Sequence, residues 1–367
     1  MRSVVLGTIS LNRMAGGLEK NIVLLANHLA QRGDEVRIVT FDLPGATAFY
    51  DIDTRVSWHQ VARTPPHTGI NFSDRFQLIR RIRDALRSTG RPIVVCFHHG
   101  VLPRFLLAAL GLGVRVVCSE RNSLTLYQHI RQRKWSPGFL AMALTSRITV
   151  QFPAYVRDYP TWLRQRIRVI PNPVHGVADQ AKPNMAGPDG RFRLVNVGRL
   201  CTQKNQRLLI EAFAQMCNRH PLWDLHIVGE GEIQAELAAH IQQQGLGDRV
   251  FLQGKRRDVP DWLAGAHLFC LPSQWEGFPN ALAEAMAHGL PCVGLRSCAG
   301  VRDLITDGVT GRLVDSADLA PALDTLMAAA DTRMAMGRAS TERIAKYQPE
   351  ETFRRWDAVL TELDGQP

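Results

Sequence analysis

The sequence predicts an α/β fold of two doubly wound, Rossmann-like domains that face one another across a cleft. Three observations carry that expectation. Short apolar runs recur along the chain and alternate with stretches whose apolar residues keep helical spacing. The alternation halts at the polar stretch that opens with Pro171-Asn172-Pro173 and starts again at Leu194. A chain of 367 residues is long for one core and comfortable for two. The corresponding division is a first domain at 1–170, a linker at 171–190, a second domain at 191–345 and a tail at 346–367.

Composition narrows the class. Hydrophobic content of 45% and charged content of 21% are those of a folded globular protein. Seven cysteines are scattered without C-x-x-C or Cys/His zinc spacing, so reduced thiols in a cytosol are expected and a disulfide frame is not. No run reaches the ~18 apolar residues of a membrane span. A strand follows Met1-Arg2 almost at once, which leaves no pattern of a cleavable signal, so the expected location is cytoplasmic. Net charge is +10, unevenly placed: residues 1–180 hold 24 Lys+Arg and 11 Asp+Glu, a net +13. One reading is solubility. The other is an acidic partner: a phosphorylated substrate, an anionic membrane or nucleic acid.

In the first half, Ser3–Gly7 reads as a buried strand, and Ile22, Val23, Leu25, Ala26 and Leu29 as a helix entered through Gly16-Gly17. Gly33-Asp34 turns the chain into a second strand at Val36–Phe41, completing a βαβ unit. Residues 42–74 read as loop, and Asp51-Ile52-Asp53 as a turn or strand edge, since a hard cation wants more oxygens than two aspartates supply. Phe76, Ile79, Ile82 and Leu86 form one helical stripe, with Arg75, Arg80, Arg81, Arg83 and Arg87 around it: a solvated amphipathic helix or a membrane-facing one. The strand Ile93–Phe97 delivers His98 and His99 to its C-terminal end, the edge where open parallel sheets bind ligands. Val114–Cys118 is another strand, ended by Ser119-Glu120-Arg121-Asn122, where the Arg121 fork suits a phosphate. A second basic segment, Tyr127–Trp135 with Arg131, Arg133 and Lys134, follows; Ile148–Gln151 and Ile167–Ile170 are further strands.

The second half repeats the pattern. Leu194–Val197 ends in Gly198-Arg199-Leu200, with Lys204 ahead of a helix at Leu208–Met216. Two fixed cations after a strand suit a diphosphate without a metal. Leu225–Val228 ends in Gly229-Glu230-Gly231, and Val250–Gln253 in Gly254-Lys255. Leu268–Leu271 is a buried strand that runs through Pro272-Ser273 into Trp275-Glu276-Gly277-Phe278-Pro279-Asn280-Ala281-Leu282-Ala283-Glu284. Gly277 permits a turn or a close approach, and Pro279 suits a first helical turn. Glu284 then lies roughly 12 Å or less along the axis from Glu276. Taken singly, Glu276 is a helix-start charge and Glu284 a solvated helix residue. Together, between small apolar flanks, they suit one extended ligand whose phosphates sit on the N–H groups of the helix start. Pro291–Gly294 and Gly311–Val314 are the last strands, the latter at an edge.

Glu276-Gly277-Phe278-Pro279-Asn280-Ala281-Leu282-Ala283-Glu284 resembles the Glu-x7-Glu motif of retaining GT-B glycosyltransferases of family 4. Gly16-Gly17, the Pro-Asn-Pro element at Pro171, and Gly198-Arg199-Leu200 with Lys204 are similar to further motifs of that family, in the family's order. The resemblance implies that Gly16 and Gly17 close on the donor phosphates and that Arg199 and Lys204 neutralise the diphosphate. It implies that Glu276 meets the donor sugar and Glu284 the ribose, with backbone N–H groups near Gly277, Phe278, Asn280 and Ala281 on the phosphates. The loops at Gly198, Gly229 and Lys255 would hold the rest of the nucleotide, and the tail would cross back onto the first domain. Many members carry a histidine near the strand end that Glu120 and Arg121 occupy here, with none in this chain until His129, so Arg121 is expected to bind a phosphate there instead, and His98, from the preceding strand end, is a further candidate.

The expected activity is retaining transfer of a hexose-type sugar from a nucleoside-diphosphate-sugar donor to an acceptor hydroxyl, with neither metal nor cofactor. A saccharide or lipid-linked saccharide is the expected acceptor, and an anionic membrane surface a candidate partner at the inner face of the cell membrane. A nucleotide-sugar epimerase on the same fold and transfer to a soluble acceptor are the alternatives. A glycosidase would leave the phosphate-binding cations idle. A nucleic-acid binder would explain the charge but not the paired loops, and no recognition module appears.

Overall fold

Residues 1–63, 72–88, 90–124 and 135–364 are described by the computed structural model, and the chain divides into two units. One is Met1–Pro173 together with the chain from Glu350 on; the other is Val174–Pro349.

In the first unit, β1 (Ser3–Thr8), β2 (Glu35–Thr40), β3 (Ser57–Gln60), β4 (Ile93–Phe97), β5 (Arg115–Ser119), β6 (Arg147–Val150) and β7 (Ile167–Val169) form one sheet in the order β3-β2-β1-β4-β5-β6-β7. Every pairing is parallel. Helices cover such a sheet on both faces, which is why Val4-Val5-Leu6 and Val94-Val95 read as unbroken apolar runs and are fully buried. The strand order reverses between β1 and β4, so the chain segments leaving those two strands diverge and open a crevice at their C-terminal ends.

The stretch 42–74, read from sequence as loop, contains β3. Ser57-Trp58-His59-Gln60 has no apolar run because an edge strand pairs on one side only, here with β2 from Arg37↔Ser57 to Thr40↔Gln60. The segment 125–134, with Arg131, Arg133 and Lys134, lies outside the described residues.

The helix Pro349–Asp364 belongs to the first unit. Its Trp356, Val359, Leu360 and Leu363 share one buried cluster with Leu6, Ile22, Leu29 and Val95. At its rim Glu362 pairs with Arg147 and Arg168, and Asp357 with Arg32. These pairs are partly exposed and contribute little beside the apolar burial.

In the second unit, β8 (Phe192–Val197), β9 (Trp223–Val228), β10 (Val250–Leu252), β11 (Leu268–Leu271), β12 (Cys292–Leu295) and β13 (Gly311–Val314) form a parallel sheet in the order β10-β9-β8-β11-β12-β13. The order reverses between β8 and β11, which pair directly through Leu268↔Leu194 and Phe269↔Val195. The loops after these two strands therefore leave the sheet side by side.

Candidate active site

The loop after β8 is built to hold two cations. Past Gly198-Arg199-Leu200 the chain makes a 3-10 turn at Thr202–Lys204, and Asn205 takes a left-handed φ of 54° to enter the helix Gln206–Ala214. Gln206 is fully buried and donates from Nε2 to the Arg199 carbonyl at 2.9 Å, fixing the loop from beneath. The neighbouring loop after β11 is tied to it twice. The Gln274 N–H donates to the Gln203 carbonyl at 2.9 Å, and Gln203 Nε2 donates to the Trp275 carbonyl at 2.8 Å. These bonds bring Lys204 Nζ to 2.5 Å from Glu276 Oε1. Glu276 is only 6% exposed, so its charge is compensated at close range by the ammonium. Arg199 beside them is exposed.

Glycine is required where these loops touch. A Cβ on Gly229, whose φ is +147°, would lie 2.0 Å from the Gly198 carbonyl oxygen, and one on Gly231 would lie 2.1 Å from that of Leu200. The loop after β9 thus stacks backbone on backbone against the loop after β8. The Gly229 N–H donates to the Gly254 carbonyl at 2.8 Å, which draws in the loop after β10 and sets Lys255 Nζ at 3.3 Å from Glu230.

Beyond Glu276, Gly277 lies under the helix Ala299–Leu304: a Cβ on Gly300 would be 2.7 Å from the Gly277 carbonyl oxygen. Phe278 is buried edge-on against Tyr347, and the helix Asn280–Ala287 starts after Pro279, with Ala281 in its first turn and Glu284 half-buried. Burial, reinforced by the nearby Glu276 charge, pushes the Cys298 thiol up to about 12, so it is neutral. The second unit therefore gathers Arg199, Lys204, Glu276 and a helix start around one strand-order reversal, with Glu284 a turn further along. Cations and a helix start suit an anion, and carboxylates suit hydroxyl donors.

In the first unit Gly16 precedes the helix Gly17–Gln31 in an extended conformation. His98 follows β4 with φ +83°, and burial pushes its imidazole pKa down against the upward pull of Glu120. The expectation that Arg121 meets a phosphate is corrected. Its guanidinium is buried under the sheet edge, donates to the Ile170 carbonyl and Asn172 Oδ1 at 3.3 and 3.2 Å, and lies 5.5 Å from the rings of both Phe97 and Trp356. Burial lowers its pKa to about 10, still a cation, and one that knits the core. Asp53 is engaged by Arg55 through its backbone N–H and guanidinium at 2.7–3.0 Å.

Three contributors were not singled out from sequence: Gln203, Gln206, and a bond of 2.5 Å between His99 Nδ1 and Glu120 Oε2. The last was signalled by position, because His99 and Glu120 stand one or two residues past the ends of adjacent parallel strands.

Comparison with known proteins identifies the family and agrees with the fold. Residues 15–175 match the family model described as Glycosyltransferase Family 4, and residues 191–329 that described as Glycosyl transferases group 1. The amylovoran biosynthesis glycosyltransferase AmsD of Erwinia amylovora is 24% identical over 94% of this chain and 96% of its own. The UDP-Gal:alpha-D-GlcNAc-diphosphoundecaprenol alpha-1,3-galactosyltransferase of Escherichia coli is 31% identical over 46% of each chain. A crystal structure of Anabaena HepE in complex with UDP and glucose superposes with a TM-score of 0.77 at 17% identity, covering all of both chains. With both sheets, the strand order and both family models in agreement, this chain is a glycosyltransferase of GT-B fold and belongs to the group 1 glycosyltransferases of family 4.

Proposed function

We propose that this enzyme transfers a hexose-type sugar, with retention of configuration and without a metal, from a nucleoside-diphosphate sugar to the hydroxyl of a lipid-linked saccharide in polysaccharide or glycolipid assembly. The observation that carries the reading is the Lys204–Glu276 pair at 2.5 Å beside the exposed Arg199. A diphosphate entering there meets two cations, and the N–H groups near Gly277, Phe278, Asn280 and Ala281 add the helix-start field. Gly16 and Gly17 offer a second helix start to phosphate. Glu276 accepts from the sugar hydroxyls and Glu284 from the ribose, while the loops at Gly198, Gly229 and Lys255 receive the rest of the nucleotide.

In the reaction the bond from the anomeric carbon to the phosphate oxygen breaks and a bond to the acceptor oxygen forms on the same face. The acceptor proton passes to the departing phosphate oxygen. Arg199 and Lys204 stabilise the charge that develops on the diphosphate, so no divalent ion enters the balance. The alpha-D-GlcNAc-diphosphoundecaprenol named for one relative, and the amylovoran biosynthesis named for the other, support a lipid-linked acceptor. Among the described residues no helix is long and apolar enough to cross a membrane. Peripheral docking of the first unit on an anionic bilayer, at the cytoplasmic face, is part of the reading, supported by the net +13 of residues 1–180.

The test follows release of nucleoside diphosphate from a panel of nucleotide sugars, UDP-hexoses first, with and without lipid-linked acceptor and with excess EDTA. Release that needs acceptor, survives EDTA and yields a product of unchanged anomeric configuration is expected. Conversion of the donor to its epimer without acceptor, or activity lost to EDTA and restored by Mg²⁺ or Mn²⁺, would overturn it.

A further inference from the structure

The Lys204–Glu276 pair joins two loops that leave different strands, β8 and β11, so neither loop alone fixes how far the ammonium stands from the carboxylate. Both side chains are long, and holding two such chains in one geometry costs conformational entropy. Something else must set the spacing. The contacts around the pair run in step along the two loops. The Gln203 carbonyl accepts from the Gln274 N–H, the Gln203 side chain donates to the Trp275 carbonyl, and Lys204 meets Glu276. Two consecutive residues of one loop thus engage three consecutive residues of the other.

Each loop is held firmly enough to pass that register on. The Lys204 N–H donates to the Cys201 carbonyl at 3.0 Å and closes the turn Thr202–Lys204. Asn205 leaves the turn with φ +54°, a left-handed geometry that asparagine tolerates better than most residues. Successive side chains of a 3-10 turn point roughly 120° apart, so Gln203 and Lys204 reach different points of the facing loop. Behind that loop lies the helix Ala299–Leu304. A Cβ on Gly300 would come 3.1 Å from the Glu276 carbonyl oxygen and 2.7 Å from that of Gly277. The loop that bears the carboxylate is therefore clamped between this helix and Gln203. The Gln203 side chain can be removed from the clamp by itself, because the bond to its backbone carbonyl survives any side chain.

We propose that Gln203 is a positioning residue that sets the spacing of Lys204 and Glu276 to the span between the diphosphate and the sugar of one donor, so that the site prefers a nucleoside-diphosphate sugar to the bare nucleoside diphosphate. This rests on the transfer reading above for the roles of Lys204 and Glu276. A bare nucleoside diphosphate brings no sugar hydroxyl to Glu276, and it leaves Lys204 shared between the carboxylate and a terminal phosphate. A donor satisfies both groups at once, provided that both stand where it needs them. Misplacing a fixed group by about 1 Å is enough to lose on the order of a hundredfold in rate. Gln203 itself touches neither phosphate nor sugar and acts through Lys204 and Glu276.

Gln203→Met keeps the length of the side chain and the backbone bond but cannot donate to the Trp275 carbonyl. It should lower kcat by about tenfold or more. Titration calorimetry should show a smaller preference for donor over nucleoside diphosphate, with affinity for the nucleoside diphosphate itself within about twofold of wild type. Gln203→Glu, of the same shape with an oxygen in place of the donor, should do the same, and it carries the test if Gln203→Met does not fold. In the Lys204→Ala background Gln203→Met should cost little more, since the group it positions is gone. A second readout needs no turnover. Lys204 should be acylated more slowly than the exposed Lys182 in the wild-type protein, and Gln203→Met should remove much of that protection, as should Glu276→Gln. The proposal is overturned by wild-type kcat in either folded variant, by an equal loss of affinity for the nucleoside diphosphate, by a loss as large in the Lys204→Ala background as alone, or by protection of Lys204 unchanged in Gln203→Met. If the wild-type protein turns over no donor, the transfer reading falls, and the acylation rates alone decide whether Gln203 holds the pair.

Discussion

Lys204 gives its charge to Glu276 at 2.5 Å, and that contact shapes what substitutions there will do. On the proposed reading, an arriving diphosphate draws the ammonium between two anions and frees the carboxylate for hydroxyl donors. Lys204→Ala and Arg199→Ala are each expected to lower kcat by about 10²–10³, the usual loss for a fixed group that stabilises developing charge. Steady-state kinetics on the folded variants checks this, and near-native turnover in both would remove them from the mechanism. Glu284 is a turn along the helix and makes a different prediction. Hydrogen bonds from ribose hydroxyls to a carboxylate are stronger than those to an amide, so Glu284→Gln should weaken binding of the nucleoside diphosphate alone. Titration calorimetry reads it, and unchanged affinity would make the residue structural. At this scale the sequence exposed residue types and their places after strands, and these brought Arg199, Lys204, Glu276 and Glu284 forward as candidates. It did not expose pairings across distant segments. Nothing near Arg121 in sequence announces that Trp356 closes over it, so a buried cation read as a phosphate ligand.

The helix Pro349–Asp364 is far from the first unit in sequence yet completes its core. Trp356 is 2% exposed and Leu360 is fully buried. Trp356→Ala should cost about 3–5 kcal/mol and Leu360→Ala about 2–5 kcal/mol, and both should lower the melting of the first unit rather than the second. Hydrogen exchange resolved by segment would show it; equal loss of protection in both units would not fit. In the second unit, His267 holds the approach to β11 against the start of β8. The Arg193 N–H donates to its Nδ1 at 2.9 Å, and its Nε2–H donates to the Met185 carbonyl at 2.7 Å, so the ring is pinned neutral. Burial above all, with Arg193 and Arg333 nearby, pushes its pKa down from 6.5 to about 4. Between those values the unfolded chain binds a proton that the folded one refuses, so stability is full above about pH 6.5 and falls as pH drops toward 4. The loss is on the order of 3 kcal/mol at most, at 1.36 kcal/mol per unit. His226 titrates in the same window, also to about 4, so the measurable quantity is the difference between wild type and His267→Gln in urea melts from pH 7 to 4. Identical slopes would deny His267 the effect. Most strands were legible because buried parallel strands are apolar runs cut off by glycine or proline. β3 was not, since an edge strand made of Ser57-Trp58-His59-Gln60 carries no such run.

Taken over the whole chain, charge is the property that the sequence states most directly and that structure then redistributes. Residues 1–180 carry a net +13, but part of it is spent inside the first unit. Arg81 donates to the Val61 carbonyl, and Arg83 to those of Ala108 and Leu110, so these two brace the helix Phe72–Arg87 against its neighbours. Arg75, Arg80 and Arg87 remain exposed. The helix touches Leu102–Ala109, which in turn touches Pro137–Ala143, and this row carries apolar side chains in solvent. Phe76 is 65% exposed, Leu110 65% and Leu144 74%, with Leu107, Trp135 and Leu140 exposed among them. Arginines interleaved with exposed apolar groups suit a bilayer interface, where each basic residue near an anionic leaflet is worth about 1 kcal/mol. Binding to vesicles should therefore rise with the fraction of anionic lipid and fall with salt, as the Debye length shrinks. Replacing Arg75, Arg80 and Arg87 together by Ser should weaken it by about a hundredfold, given three contributions of that size. Replacing Leu110 and Leu144 by Ser should weaken it at every salt concentration, because apolar burial is not screened. Flotation on vesicles with and without anionic lipid makes the measurement. Equal partitioning onto neutral and anionic vesicles, or none onto either, would leave these arginines as solvating charge and the acceptor as a soluble saccharide.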